Sequence, residues 1–191
     1  MTSIPGGFSE EQLERYARHI VLPQVGGKGQ RRLLESRVAV VGAGGLGSPA
    51  LLYLAAAGVG TIDLIDHDTV SLSNLQRQVV HPTASLGRPK TESAADSLRA
   101  INPDVRVVGH TERLEPANAE GLLASADVVL EGSDNFETRY LVNETCLRLR
   151  KPLVYGAVGR FDGQATIFRF DQNDSPCLRC VFPEPPPPGT V

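Results

Sequence analysis

The sequence predicts an α/β fold: a doubly wound, mostly parallel sheet with helices on both faces, preceded by an N-terminal helical segment. Three observations predict it. Short apolar runs alternate with helical stretches along most of the chain. A glycine-rich turn, Gly42-Ala43-Gly44-Gly45-Leu46-Gly47, follows the first apolar run. An acidic strand end, Asp66-His67-Asp68, follows the second.

Ser9 to Ile20 reads as a short helix, with Ser9 as its cap and Glu10 and Glu11 in its first turn. Gly26, Gly27 and Gly29 then read as a break, and Gln30 to Ser36 as a second helix. Arg37 to Val41 is an apolar run with the character of a buried strand. Ser48 to Ala57 is a small-residue helix, and Thr61 to Ile65 the next strand. Lys90 to Ala100 is helical, stopped by Asn102-Pro103. Val105 to Val108 is a strand, Ala117 to Ala124 a helix and Asp127 to Leu130 a strand. Glu137 to Leu149 is a helix, Leu153 to Tyr155 a strand, and Gly163 to Phe170 a longer strand. This β-α-β order calls for right-handed crossovers and a largely parallel sheet.

The 191 residues suffice for one domain with a sizeable core. Residues 1–182 read as that domain, and 183–191, containing Pro183-Glu184-Pro185-Pro186-Pro187-Pro188, as a stiff connector. With 41% hydrophobic and 21% charged residues the balance is globular. A net charge of −3 gives no basic footprint, which argues against nucleic acid as a partner. No apolar run approaches the roughly 20 residues of a membrane span. The N-terminus has early acids and no apolar core, unlike a signal peptide. Three cysteines make no disulfide framework, so a reducing cytoplasmic setting is expected.

Gly42, Gly44 and Gly47 fit the Rossmann-type pattern G-x-G-x-x-G between a strand and a helix, where backbone amides can meet phosphate. Asp66, 24 residues after Gly42, is placed to accept hydrogen bonds from ribose hydroxyls. These features fit NAD and ATP equally. The segment Ser71-Leu72-Ser73-Asn74-Leu75-Gln76-Arg77-Gln78 favours ATP. A guanidinium at Arg77 matches phosphate oxygens in a two-pronged geometry, although a solvated loop would carry the same residues. Lys90, after Gly87-Arg88-Pro89, would neutralise charge on a departing pyrophosphate. Asp134 and Asn135 follow a strand's carboxyl end, where such sheets bind ligands; either could equally cap the next helix.

Cys177-Leu178-Arg179-Cys180 has zinc-knuckle spacing, with a redox pair as the other reading. Cys146 sits within a helix and reads as a small core residue. His19, His67, His81 and His110 show no paired spacing. Arg15 and Arg18 lie at i and i+3 on the first helix, and spacing alone makes them a solvated face.

Together these motifs resemble the ATP-dependent adenylyltransferases that activate ubiquitin-like sulfur carriers. That family includes the molybdopterin-synthase and thiamine-pathway adenylyltransferases and is related to the ubiquitin-activating enzymes. The resemblance runs from about Phe8 to Gly189. It rests on Arg15-Tyr16-Ala17-Arg18, the glycine turn, Asp66-His67-Asp68-Thr69-Val70, Ser73 to Gln78, Gly87-Arg88-Pro89-Lys90 and Cys177-x-x-Cys180. The ending from Phe182 to Gly189 is most similar to the branch that often carries a C-terminal rhodanese domain.

The resemblance implies that Gly45 lies near the ATP phosphates and Asp66 holds the ribose. It puts Asn74, Arg77 and Lys90 on phosphates, with Ser73, Leu75 and Gln76 in the same loop. Asp134 and Asn135 would close the site around Mg2+ and the α-phosphate. Arg18 would reach into a partner subunit's ATP site, making the active unit a homodimer. Cys177 and Cys180 would supply half of a structural Zn2+ site. The implied partner is a carrier ending in Gly-Gly, whose carboxylate attacks ATP to give an acyl-adenylate and pyrophosphate. Molybdopterin, thiamine, tRNA thiolation and cysteine synthesis are all open as pathways. The family pattern continues with a further cysteine, a second Cys-x-x-Cys and more strands. These 191 residues lack them, so the chain reads as C-terminally truncated. The alternatives are a catalytically silent nucleotide-binding scaffold and an NAD-dependent oxidoreductase, the latter opposed by Arg77 and Lys90.

Overall fold

The computed structural model describes residues 7–159 and 161–184. The expected proline-rich connector falls mostly outside them. Six strands form one sheet in the order β3-β2-β1-β4-β5-β6. They are β1 (Arg37–Val41), β2 (Thr61–Ile65), β3 (Arg106–His110), β4 (Val128–Glu131), β5 (Leu153–Gly159) and β6 (Asp162–Phe168). The first five run parallel, and β6 returns antiparallel along β5. The expected doubly wound sheet is therefore present, closed on one side by an antiparallel edge strand.

Alternation along β1 divides the core. Val38 and Val40 pack with Leu51 and Ala55 of α4 (Gly47–Ala57) and Ala94 and Leu98 of α5 (Lys90–Ile101). Ala39 and Val41 pack on the other face with Leu123 of α6 (Ala119–Leu123) and Val142 and Cys146 of α7 (Phe136–Leu149). Cys146 is fully buried there, as expected, and burial pushes its thiol up to about 12. Burying apolar side chains on both faces of one sheet is what holds the two helix layers.

Two local expectations need correction. The helix expected over Ser9 to Ile20 is two helices, α1 (Glu10–Arg15) and α2 (Ala17–Ile20), broken at Tyr16. The break turns the Tyr16 ring inward, where its hydroxyl accepts a hydrogen bond from Asn102 Nδ2 at 2.8 Å. Ser9 caps α1 in a full capping box with Gln12. Gly26, Gly27 and Gly29 do not break the chain; they form the first turns of α3 (Gly26–Glu35). Gly26 starts the helix at φ +58°, which favours glycine, and a Cβ on Gly29 would crowd Val25 Cγ1 at 3.1 Å, so glycine suits both places despite its poor helix propensity.

Between β2 and α5 the chain makes a long excursion that is closed at its base. Thr69 bridges Pro89, the Val70 amide donates to Arg88 O, and the Gly87 amide donates to Val70 O, the latter two at 2.9 Å. A final four-residue helix, α8 (Leu178–Val181), docks on α7 through the Leu178 amide, which donates to Asn143 Oδ1 at 2.8 Å. No helix among the described residues is long and apolar enough to cross a membrane.

Candidate functional site

The carboxyl ends of β1, β2, β3 and β4 open on one cleft of about 480 Å3. β1 and β4 are neighbours, yet the helices that follow them pack on opposite faces of the sheet. This is the switch point at which open α/β sheets bind ligands. Gly42, Gly44, Gly45, Asp66, Arg77, Lys90, Asp134 and Asn135, all singled out in the sequence, line the cleft.

The motif glycines divide by task. Gly42 has φ +92°, and a Cβ on it would meet Gly132 O at 3.1 Å. A Cβ on Gly47 would overlap Gly42 O, at 1.8 Å. Gly47 therefore packs the turn and does not line the cleft. A Cβ on Gly44 or Gly45 would meet only Gln78 Nε2 at 3.7 Å or Arg77 Cδ at 3.6 Å. These two glycines leave a cradle that a side chain would fill.

Backbone anchors fix the turn. Asp66 Oδ2 accepts from the Ala43 amide at 2.8 Å, and Oδ1 from the Asp68 amide at 2.9 Å. On its other side, Ala43 O accepts from Ser48 Oγ at 3.0 Å and faces His81 Nε2 at 3.1 Å. His81 is buried, and burial holds its imidazole below the usual range. A neutral ring donating from Nε2 and accepting from Ser93 Oγ at Nδ1, 3.0 Å away, satisfies both nitrogens.

Arg77 is exposed, and its guanidinium folds back on its own loop, donating to Ser73 O at 3.3 Å and Asn74 Oδ1 at 2.9 Å. Ser73, Asn74, Leu75 and Gln76 stay outside the cleft wall, and of these Ser73 and Asn74 hold the arginine from behind. Lys90 is buried, and its Nζ donates to Asp68 Oδ2 at 2.8 Å. That hydrogen bond holds the Asp68 carboxyl below the ordinary range against an opposing effect of burial. Ligand atoms of Asp66, His67 and Asp68 lie within 4.8 Å of one another, but amides and Lys90 already engage the two carboxylates.

Asn135 caps α7, its Oδ1 accepting from the Thr138 amide at 2.9 Å. The capping and cleft-lining readings of Asn135 therefore both hold. Asp134 faces the cleft and also a second cavity of about 400 Å3 between α7 and the β5–β6 ribbon. Arg18 lies exposed on α2, outside the cleft lining. Arg15, by contrast, donates to Ile101 O at 2.9 Å.

Cys177 and Cys180 are free thiols with sulfurs 3.6 Å apart. Burial raises the Cys177 thiol, but hydrogen bonds from the Cys180 amide and thiol outweigh this and bring it below the ordinary range. Sequence reasoning missed Glu131 and Arg139. Glu131 is fully buried at the end of β4, and Arg139 sits one turn into α7. Glu131 accepts from the Ser133 amide at 2.7 Å and from Ser133 Oγ, while Arg139 Nη2 donates to Ser133 O at 3.0 Å. An acid closing an apolar strand, with a basic residue eight positions on, was the available signal.

Fold and cleft together define a doubly wound α/β protein whose glycine turn opens at the sheet's switch point. The chain belongs to the ThiF family, whose pattern matches residues 16–191. It is 52% identical, over its whole length, to a Mycobacterium tuberculosis protein named probable adenylyltransferase/sulfurtransferase MoeZ, of which it covers 50%. It is 50% identical, over 96% of its length, to the Thermus thermophilus sulfur carrier protein adenylyltransferase, covering 69% of that protein. Among solved structures, E. coli tRNA N6-threonylcarbamoyladenosine dehydratase (TcdA) in complex with ATP superposes with a TM-score of 0.74 at 31% identity. That match covers 81% of this chain and 64% of TcdA. The chain thus spans from 37% to 69% of the length of the curated relatives it matches. The paired activities in the MoeZ name agree with the rhodanese-bearing branch suggested by the residues before Gly189.

Proposed function

We propose that this chain binds ATP and adenylylates the C-terminal glycine of a ubiquitin-like sulfur carrier. The observation that carries the reading is the meeting of Gly44, Gly45, Asp66, Arg77, Lys90 and Asp134 around one cleft. The residues fit the nucleotide. Gly44 and Gly45 leave an open cradle, and Gln78 presents a buried Oε1 without a hydrogen-bond partner at its wall.

Asp66, held by two amides, accepts from the ribose hydroxyls. Arg77 and Lys90 bind phosphate oxygens, and Asn74 steadies Arg77. Asp134 and Asn135 close the phosphate end, where they would hold Mg2+, which would offset negative charge on the polyphosphate. The carrier carboxylate attacks the α-phosphorus. An O–P bond forms, the bridge to the β-phosphorus breaks, and pyrophosphate leaves with the electron pair. No side-chain base is required, because the carboxylate is ionised near neutral pH. The chain's work is to offset repulsion between two anions and to hold them in line.

Arg18, exposed and without an ion pair or hydrogen bond among the described residues, reaches the site of a second copy in a homodimer. The 3.6 Å between Cys177 and Cys180 sulfurs fits one edge of a tetrahedral site with Zn–S bonds near ~2.3 Å. The pair would hold Zn2+ with two further ligands. Three free thiols suit a reducing cytoplasm.

ATP–pyrophosphate exchange with magnesium, measured with and without a small ubiquitin-like protein ending in Gly-Gly, tests the reading. Carrier-dependent exchange is expected. ATP binding without exchange would favour the silent scaffold.

A further inference from the structure

Glu131 is an expensive residue to bury. Its side chain is fully enclosed, and its Oε2 has no hydrogen-bond partner. The nearest cation, Arg139 Nε, stands 3.8 Å from it, beyond hydrogen-bond reach. A strand end held only for stability would fare better with a neutral side chain, since a half-satisfied buried charge costs more than it returns. What the carboxylate does hold is Ser133. Its Oε1 takes both the Ser133 amide and the Ser133 hydroxyl.

Arg139 grips the same residue from the opposite side. Its Nε and Nη2 donate to Ser133 O at 3.3 and 3.0 Å, and its guanidinium lies over the Phe136 ring at 5.0 Å. Ser133 is therefore clamped at its amide, carbonyl and hydroxyl. The next residue, Asp134, lines both the cleft and the second cavity, so it stands where the two meet.

We propose that Glu131 and Arg139 are positioning residues that hold the Gly132–Asn135 loop so that Asp134 is aimed at the junction of the two cavities, where the nucleotide and the carboxylate that accepts its adenylyl group must meet. The inference rests on the adenylylation reading for its chemistry, and on the clamp geometry alone for its mechanics. Glu131 lies outside both cavity linings and acts through Ser133, while Arg139 grips Ser133 and also lines the second cavity. Loss of the clamp leaves nucleotide affinity nearly intact and misplaces Asp134 during transfer, because a shift of about 1 Å at a positioned group is enough to cost ~100-fold.

The test compares Glu131→Gln, Glu131→Asp and the unaltered chain in three measurements. Glu131→Gln retains the shape but loses the charge that draws Arg139. Glu131→Asp retains the charge, and a shorter acid can still accept from the amide two residues on. The first measurement is the MgATP dissociation constant, expected within about threefold in all three proteins, the span of about 0.65 kcal/mol that a role outside binding allows. The second is kcat for carrier-dependent exchange, expected to fall roughly tenfold or more in Glu131→Gln with the carrier KM little changed, and to recover substantially in Glu131→Asp. The third is amide hydrogen exchange. In the unaltered chain and Glu131→Asp, Ser133 to Asn135 gain protection when MgATP is added; in Glu131→Gln they do not. Unchanged kcat and loop protection in Glu131→Gln would overturn the proposal. So would equal losses of thermal stability, ATP affinity and kcat in both variants, which would mark the clamp as structural. Absence of exchange in the unaltered chain would sink the adenylylation reading, and the loop-protection measurement would still decide the clamp.

Discussion

At the scale of single residues, the site joins groups that line the cleft to groups that only aim them. Arg77 shows how the two combine. Its guanidinium reaches the cleft wall while Ser73 O and Asn74 Oδ1 hold it from behind. Held this way, it loses little further freedom on meeting phosphate, so its effect should fall on the charged transition state more than on ground-state binding. Arg77→Ala is expected to lower kcat for exchange by roughly 100-fold while raising the ATP dissociation constant much less. Steady-state kinetics set beside equilibrium binding check this, and equal losses in both would argue against it. The sequence made Arg77, Lys90 and Asp66 legible because each stands in a dense polar motif beside a glycine turn. Glu131 and Arg139 were hidden because their roles depend on a loop that brings them onto the same serine.

Elements repeat the lesson at larger size. β1 and β2 match their sequence-based boundaries because largely apolar runs buried on both faces leave little other placement, the buried Asp63 of β2 being matched by Arg37 of β1. The break at Tyr16 and the start of α3 do not match, because contacts far along the chain decide them. Tyr16 turns in to meet Asn102, and the first turn of α3 lies against Phe8 at Gly27. The Asn102 amide is shared between Tyr16 Oη and Ala55 O, both at 2.8 Å, so one side chain ties α1–α2 to the ends of α4 and α5. Tyr16→Phe keeps the ring and removes one acceptor. Asn102 would keep its bond to Ala55, so a loss of about 1 kcal/mol is expected. Thermal unfolding should show it as a fall of roughly 2–4 °C. A fall beyond about 10 °C would show that the hydroxyl organises more than this junction.

For the whole molecule, the buried acid of β4 should leave a trace in stability against pH. Burial lifts Glu131 from 4.5 to about 7, partly opposed by its bonds to Ser133 and the charge of Arg139. A carboxyl whose folded pKa lies above its unfolded value favours the fold fully below pH 4.5, and that advantage is lost as pH rises through about 7. Relative to Glu131→Gln, the unaltered chain should therefore lose about 3 kcal/mol of unfolding free energy between pH 4 and pH 8. Denaturant titrations of both proteins at the two pH values measure it, and a flat difference would show that Arg139 neutralises the acid more completely than its 3.8 Å separation suggests.

The excursion between β2 and α5 carries a different implication. Its two ends are stapled together by the Thr69–Pro89 bridge, the paired Val70 and Gly87 amides and the Lys90–Asp68 ion pair. Past that neck the segment is pinned again: His81 meets Ala43 O and Ser93 Oγ, and Val80 is buried in the core beside α4 and α5 with its carbonyl accepting from Ser97 Oγ. Only the stretch from Ser71 to Arg77, between the neck and these pins, behaves as a cartridge that can be exchanged for that of a relative while both keep the join in register. Substrate preference could then drift within the cartridge without disturbing the sheet beneath it.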